Sequence, residues 1–256
     1  MESMPIILPE HTIHLWFVHT NRINDAALLK QYQALMSVEE QERNQRFIFE
    51  KDQKRHLITR ALIRSVLSEY DPSIAPQDWC FTENGYGKPQ VLPALLKRPL
   101  SFNLSHSGNM IALAISREPE LGIDIESLNS NTPNDDLAKH AFAPTEYQQL
   151  KDLTSDDFYS RFYDFWTLKE AYIKACGLGL SIPLDSFSFS FEQANIKINF
   201  DESRKDHPEH WQFWQITQNP DYKVALAIKS GKEKISEQQI IMRDVIPLEC
   251  AHRRLG

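Results

Sequence analysis

Cysteine is scarce in this 256-residue chain: three residues, Cys80, Cys176 and Cys250, odd in number and far apart. That excludes a disulfide framework and a CxxC zinc site, and it suits a reducing cytoplasm. Long apolar runs are missing as well. Nothing approaches the roughly 18 residues of a membrane helix, and the N-terminal MESMPIILPE has neither the basic region nor the apolar run of a secretory signal. Positive charge is in deficit, with 28 Lys and Arg against 35 Asp and Glu, a formal net charge of −7. Bulk electrostatics therefore argue against nucleic acid, and the short C-terminal HRR does not change that. A local basic pocket for a small anion stays open, because net charge does not report on it. There are only 8 glycines, with no GxxxxGK[ST] and no GxSxG, so a P-loop and a hydrolase nucleophile elbow are both excluded. Short-period repeats and low-complexity tracts are absent too.

What is present is an ordinary globular composition, 41% hydrophobic and 25% charged, enough for one large domain or two small ones. Residues 12–18 (TIHLWFV) alternate, with Ile13, Leu15 and Phe17 on one side, and predict a strand. A helix is expected over 25–36, and Ser37 with Glu40 predicts a capping box for the next. Leu57, Ala61, Leu62 and Val66 have helical spacing within 52–69, with Lys51, Arg55, Arg60 and Arg64 around them as a positive surface. Short extended pieces follow: WCFT and KPQVL about the Asn84–Gly85 turn, then SFNLS, NMIALAIS and LGIDIE. A helical block over 144–176, broken near Thr154, precedes SFSFSF, residues 196–200, WQFWQIT, YKVALAI and QIIMRDV. This order predicts an α+β fold in two halves of similar plan, joined near residues 117–121 (REPEL). The echo between the halves is faint: RFIFEKDQKR against FYDFWTLKEA.

Four segments carry chemistry. In LGIDIE, Asp124 and Glu126 face one side of a strand about 7 Å apart, a spacing that could share one hard cation or simply form a wet face. In FWTLKEAYIKACGLGL, Glu170 and Lys174 lie one helical turn apart, which alone reads as a surface ion pair. FNLSHSG gathers Ser105, His106 and Ser107 with an amide at a strand end, either phosphate donors or a polar turn. NGYGKP offers a glycine turn followed by Lys88, a plain hairpin turn unless a ligand is near. His207 and His210 have metal spacing but read as a loop around Pro208. Trp211 and Trp214 read as packing residues of a strand.

In this order, GKP, FNLSHS, GIDIE and WxxKEAYxKAxGxGL resemble the Sfp-type 4′-phosphopantetheinyl transferases, with the likeness spanning about residues 37–192. The resemblance implies a pseudo-twofold duplicated α+β fold with the active site in the cleft between two similar halves: residues 1–118 on the CoA nucleotide side and 119–256 with the metal-binding and catalytic motifs. It implies transfer of phosphopantetheine from CoA, the co-substrate, to a serine of an apo acyl or peptidyl carrier protein, with release of 3′,5′-ADP. Carried over by motif, Asp124, Glu126 and Glu170 would hold Mg²⁺ or Mn²⁺. Lys174 would meet the CoA pyrophosphate, Ser105 and His106 its phosphates, Lys88 the adenosine loop and Arg43 the 3′-phosphate end. Glu170 and Lys174 would be the catalytic pair. Glu40 and His56 depart from the family pattern, standing where relatives carry lysine and threonine. A cytoplasmic monomer that binds no nucleic acid or membrane is expected. A non-catalytic CoA- or carrier-binding homologue and a Mg²⁺-dependent CoA pyrophosphatase are the alternatives.

Overall fold

Thr12–His19 forms β1, and both of its faces are buried. Ile13, Leu15 and Phe17 enter one apolar layer, while Trp16 and Val18 enter another. The expected alternation is thus real, but its second face is apolar too. In the computed structural model, which describes residues 5–129, 133–192, 195–202, 204–230, 238–249 and 253–255, this double burial recurs and defines the architecture. Cys250 and His252 of the basic tail lie outside the described residues.

Three helices follow β1. Asp25 caps α1 (Ala26–Leu35) by accepting from Ala27 N and Leu28 N at 2.7 and 3.2 Å. The predicted capping box opens α2 (Val38–Gln45): Ser37 Oγ accepts from Glu40 N, and Glu40 Oε2 accepts from Ser37 N. The 21-residue α3 (Glu50–Tyr70) buries Leu57, Ile58, Ala61, Leu62, Val66 and Leu67. One predicted surface cation, Arg64, is only 2% exposed. It is held by Glu40 and by the Pro76, Gln77 and Trp79 carbonyls, which satisfy a guanidinium that burial would otherwise destabilise.

A small hairpin, β2 (Phe81–Glu83) and β3 (Pro89–Val91), leads into β4 (Ser101–Ser107), β5 (Met110–Ser116) and β6 (Leu121–Ser127). Next come α4 (Asp135–Ala141), which the sequence reading did not include, α5 (Pro144–Lys151) and the 22-residue α6 (Ser155–Cys176). Strands β7 (Phe187–Glu192), β8 (Asn195–Phe200), β9 (Trp211–Ile216), β10 (Tyr222–Lys229), β11 (Gln239–Asp244) and β12 (Arg253–Leu255) complete the chain.

The duplication is carried by strand order. The first half pairs as β1-β5-β4, with α3 between its first and second strands in sequence. The second pairs as β6-β10-β9, with α6 in the corresponding place. Every pairing in both sets is antiparallel. The faint RFIFEKDQKR echo does not report this equivalence, since it falls at the start of α3 but in the middle of α6.

The two sheets meet through one apolar layer that includes Ile13, Leu15 and Phe17 of β1, Ile123 and Ile125 of β6, and Val224 and Leu226 of β10. Burying each of these side chains stabilises the fold by about 1.5–3 kcal/mol. Outside this layer, α3 covers the first sheet and α6 the second. β11 lies beyond the 118/119 boundary expected from sequence, yet it pairs in parallel with β1 and covers that strand's otherwise open edge.

Candidate active site

Because Leu121, Ile123 and Ile125 of β6 point into the layer between the sheets, the alternate residues Gly122, Asp124 and Glu126 face α6. Gly122 lets the helix sit directly on the strand: a Cβ there would be 2.0 Å from Ala171 O and 2.5 Å from Ala175 N. This contact brings the Glu170–Lys174 turn of α6 against Asp124. Lys174 Nζ is 2.6 Å from Asp124 Oδ1 and donates to Ser105 Oγ at 2.8 Å. Ser105 Oγ in turn donates to Asp124 Oδ1 at 2.8 Å. The other carboxylate oxygen, Asp124 Oδ2, is buried and has no hydrogen-bond partner.

The Asp124 charge acts on both neighbouring carboxylates. Burial first, and then the Asp124 charge, hold the Glu126 carboxyl above the usual range, against the hydrogen bond from Ser107. Burial and Asp124 likewise raise Glu170, with Lys174 pulling it down and Glu126 adding to the rise. Such mutual repulsion favours a shared positive charge. Among the described residues, however, no three His, Cys, Asp or Glu side chains already stand as a metal cluster. In this arrangement the ammonium of Lys174 is the cation that Asp124 engages.

In front of these groups lies a cavity of about 480 Å³ between α2–α3 and the end of α6. Arg43, Arg55, His56, Arg60, Lys88, His106, Glu170 and Lys174 all line it, while Ser105, Asp124 and Glu126 lie behind its wall. The positive charge is partly neutralised. Arg55 pairs with Asp52 at 2.6 Å, and Arg60 pairs with Glu40. Exposed Arg43 stands at the α2 end of the cavity. His56 accepts from Asn44 Nδ2 at 3.1 Å through Nδ1, and burial together with the Arg60 and Arg43 charges pushes its pKa down to about 4. Burial first, and then Arg55, hold His106 below its usual value.

Lys88 lines the cavity, but its ammonium donates to Leu121 O and Ala175 O at 3.1 and 2.9 Å, and burial lowers its pKa to about 8. Its loop also grips the end of α6 through Asn84 Nδ2, which donates to Gly177 O at 2.7 Å. Gly177, at φ 66, closes the helix in the left-handed region that suits glycine.

The sequence reading did not include two supporting sets. Lys169 and Glu146 form an ion pair of 2.8 Å that is almost wholly buried. The other is the 103/105/107 alternation in FNLSHS, a spacing of two that could have marked one face of a strand.

Comparison with known proteins agrees along most of the chain. Residues 120–227 match the model of the 4′-phosphopantetheinyl transferase superfamily, and residues 25–118 match that of the 4′-phosphopantetheinyl transferase N-terminal family. A 4′-phosphopantetheinyl transferase of Bacillus subtilis is 33% identical over 227 residues, covering 86% of this chain and 98% of the relative. The 4′-phosphopantetheinyl transferase Sfp of Bacillus subtilis strain 168 is 34% identical over 198 residues, covering 77% and 84%. HetI, a 4′-phosphopantetheinyl transferase of Nostoc, is 33% identical over 169 residues, covering 66% and 70%.

Proposed function

The chain belongs to the 4′-phosphopantetheinyl transferase superfamily and is a transferase, and from that premise we propose that it moves phosphopantetheine from CoA to a serine of an apo acyl or peptidyl carrier protein, using Mg²⁺. The observation that carries the reading is the site behind the cavity: a buried, unpartnered Asp124 Oδ2 beside two carboxylates that its charge perturbs. An orphaned anionic oxygen in a buried site calls for a partner, and an all-oxygen donor set of this kind suits a hard divalent cation. Asp124, Glu126 and Glu170 are the residues that would hold it. When bound, the cation would neutralise charge on the CoA pyrophosphate.

The chain's own residues supply the rest. The cavity's cations fit a polyanionic ligand, with Arg43 and Arg55 toward the α2–α3 end and Lys174 at the carboxylate end. Lys174, which lines the cavity, would stabilise charge building on the leaving 3′,5′-ADP. His106 borders the same space. The carrier serine oxygen forms a bond to the phosphorus that bears pantetheine as the bond to 3′,5′-ADP breaks, and the serine proton passes to Glu170, directly or through water. Of the three carboxylates, Glu170 is the one that lines the cavity from which the serine would approach. Lys88 contributes by fixing the cavity floor, because its ammonium is spent on backbone carbonyls of β6 and α6.

No helix among the described residues is long and apolar enough to cross a membrane, and both halves of the cleft come from one chain. Because one chain supplies both halves, we read the enzyme as a monomer. The test is intact-mass spectrometry of an apo carrier protein incubated with the chain, CoA and Mg²⁺. A carrier heavier by one phosphopantetheine supports the reading. Release of free 4′-phosphopantetheine without a carrier would point instead to a CoA pyrophosphatase.

A further inference from the structure

Strands β4 and β6 lie side by side at the join between the halves, but they belong to different sheets and have no backbone ladder between them. Alternate side chains of β4 do the joining. Asn103 Oδ1 accepts from Ile123 N at 2.8 Å, and Ser105 Oγ donates to Asp124 Oδ1 at 2.8 Å. One step further along, Ser107 Oγ donates to Glu126 Oε2 at 2.8 Å and accepts from Ser127 N at 3.0 Å. Each β6 carboxylate therefore has its own β4 serine.

We infer that Ser107 is a positioning residue, which orients the Glu126 carboxylate for the divalent cation. Two features separate it from an ordinary surface serine. Its hydroxyl is used as both donor and acceptor, so its rotamer is set by Ser127 N while its proton is aimed at Glu126. The bond also crosses between two strands that share no backbone ladder, so it ties the Glu126 carboxylate of β6 directly to β4. Hydrogen bonds to a metal-holding carboxylate fix its direction, and their removal typically lowers metal affinity by about 10–100-fold. Ser107 does not line the cavity, so it acts on the reaction only through Glu126. This inference rests on the reading of Asp124, Glu126 and Glu170 as the cation ligands.

The test is Mn²⁺ binding, followed by the electron paramagnetic resonance signal of the free ion, in the full-length chain with and without CoA. Ser107→Ala is expected to bind Mn²⁺ about tenfold more weakly and to need correspondingly more metal for half-maximal rate, with the KM for CoA unchanged. Ser107→Thr keeps the hydroxyl and should stay near the parent. Circular dichroism melting of each variant reports any general loss of fold. Mn²⁺ affinity in Ser107→Ala equal to the parent's would overturn the positioning role while leaving the cation site standing. A parent chain that binds no Mn²⁺ in either condition would remove the cation site itself, and the role of Ser107 with it.

Discussion

Gly122 of β6 lies directly under the Ala171 carbonyl of α6, so close that a methyl group on Gly122 would stand 2.0 Å from that oxygen. The obstacle is backbone, so it cannot be relieved by a change of rotamer. Gly122→Ala must push α6 away from β6, and overpacking of this kind costs about 1–3 kcal/mol or more. The same displacement separates Glu170 and Lys174 from Asp124. A lowered melting temperature together with loss of transfer even well below that temperature is the expected result. Full activity in the folded variant would show that the helix–strand distance does not matter to the site.

Asp124→Ala removes the residue on which Lys174 and Ser105 converge. Turnover in the carrier-loading assay is expected to fall by at least about 100-fold, in line with the loss of a group that organises transition-state charge. Lys174→Ala should impair catalysis while leaving Asp124 without its ammonium partner, so its Mn²⁺ binding should survive. Mass gain of the carrier and Mn²⁺ titration, run on the same two proteins, check both outcomes.

His56 gives a prediction about pH. Its folded pKa is about 4, below the ordinary value of 6.5, because burial and nearby arginines disfavour the imidazolium. Between those values the unfolded chain binds more protons than the folded one. The group's contribution therefore makes stability rise as pH goes from 4 to 6.5, and acid withdraws it. Protonation would also break the bond in which Nδ1 accepts from Asn44. Urea unfolding at pH 5 and pH 7 should show a smaller loss on acidification in His56→Gln than in the parent chain. An equal loss would mean that folding does not lower the His56 pKa.

The buried pair gives a prediction about charge. Lys169 is 1% exposed, and its ammonium serves Glu146 together with the Leu184 and Phe187 carbonyls. Lys169→Met leaves a buried carboxylate uncompensated, a change that costs about 3–5 kcal/mol. Glu146→Gln should be milder, because the Lys169 ammonium it leaves keeps the Leu184 and Phe187 carbonyls as acceptors and the amide oxygen can still accept from Phe189 N, the bond Glu146 Oε1 makes at 2.8 Å. Equilibrium denaturation of both variants compares them, and equal destabilisation would contradict the ranking.

The parts of the molecule legible in the sequence are those whose signal is local. The Ser37–Glu40 box, the α3 periodicity and the IDIE alternation each need fewer than about 20 neighbouring residues to be seen. The pairing of β11 with β1, the Glu146–Lys169 bond and the grip of Glu40 on Arg60 and Arg64 were hidden, since each joins residues about 20 or more positions apart. Arg64 shows the difficulty well. Its helical spacing is that of a surface cation, and only the Pro76–Trp79 segment folding over it makes it a buried one. Ser107 was visible as a residue but not as a partner, because Glu126 reaches it only when the two halves close together.

A crystal of the chain with CoA and Mn²⁺, with the metal located by its anomalous scattering, tests the central claim most directly. The account predicts a single manganese touching oxygens of Asp124, Glu126 and Glu170, with Lys174 moved from Asp124 onto the CoA phosphates. Manganese bound elsewhere, or held by CoA with none of those three carboxylates in contact, would contradict it.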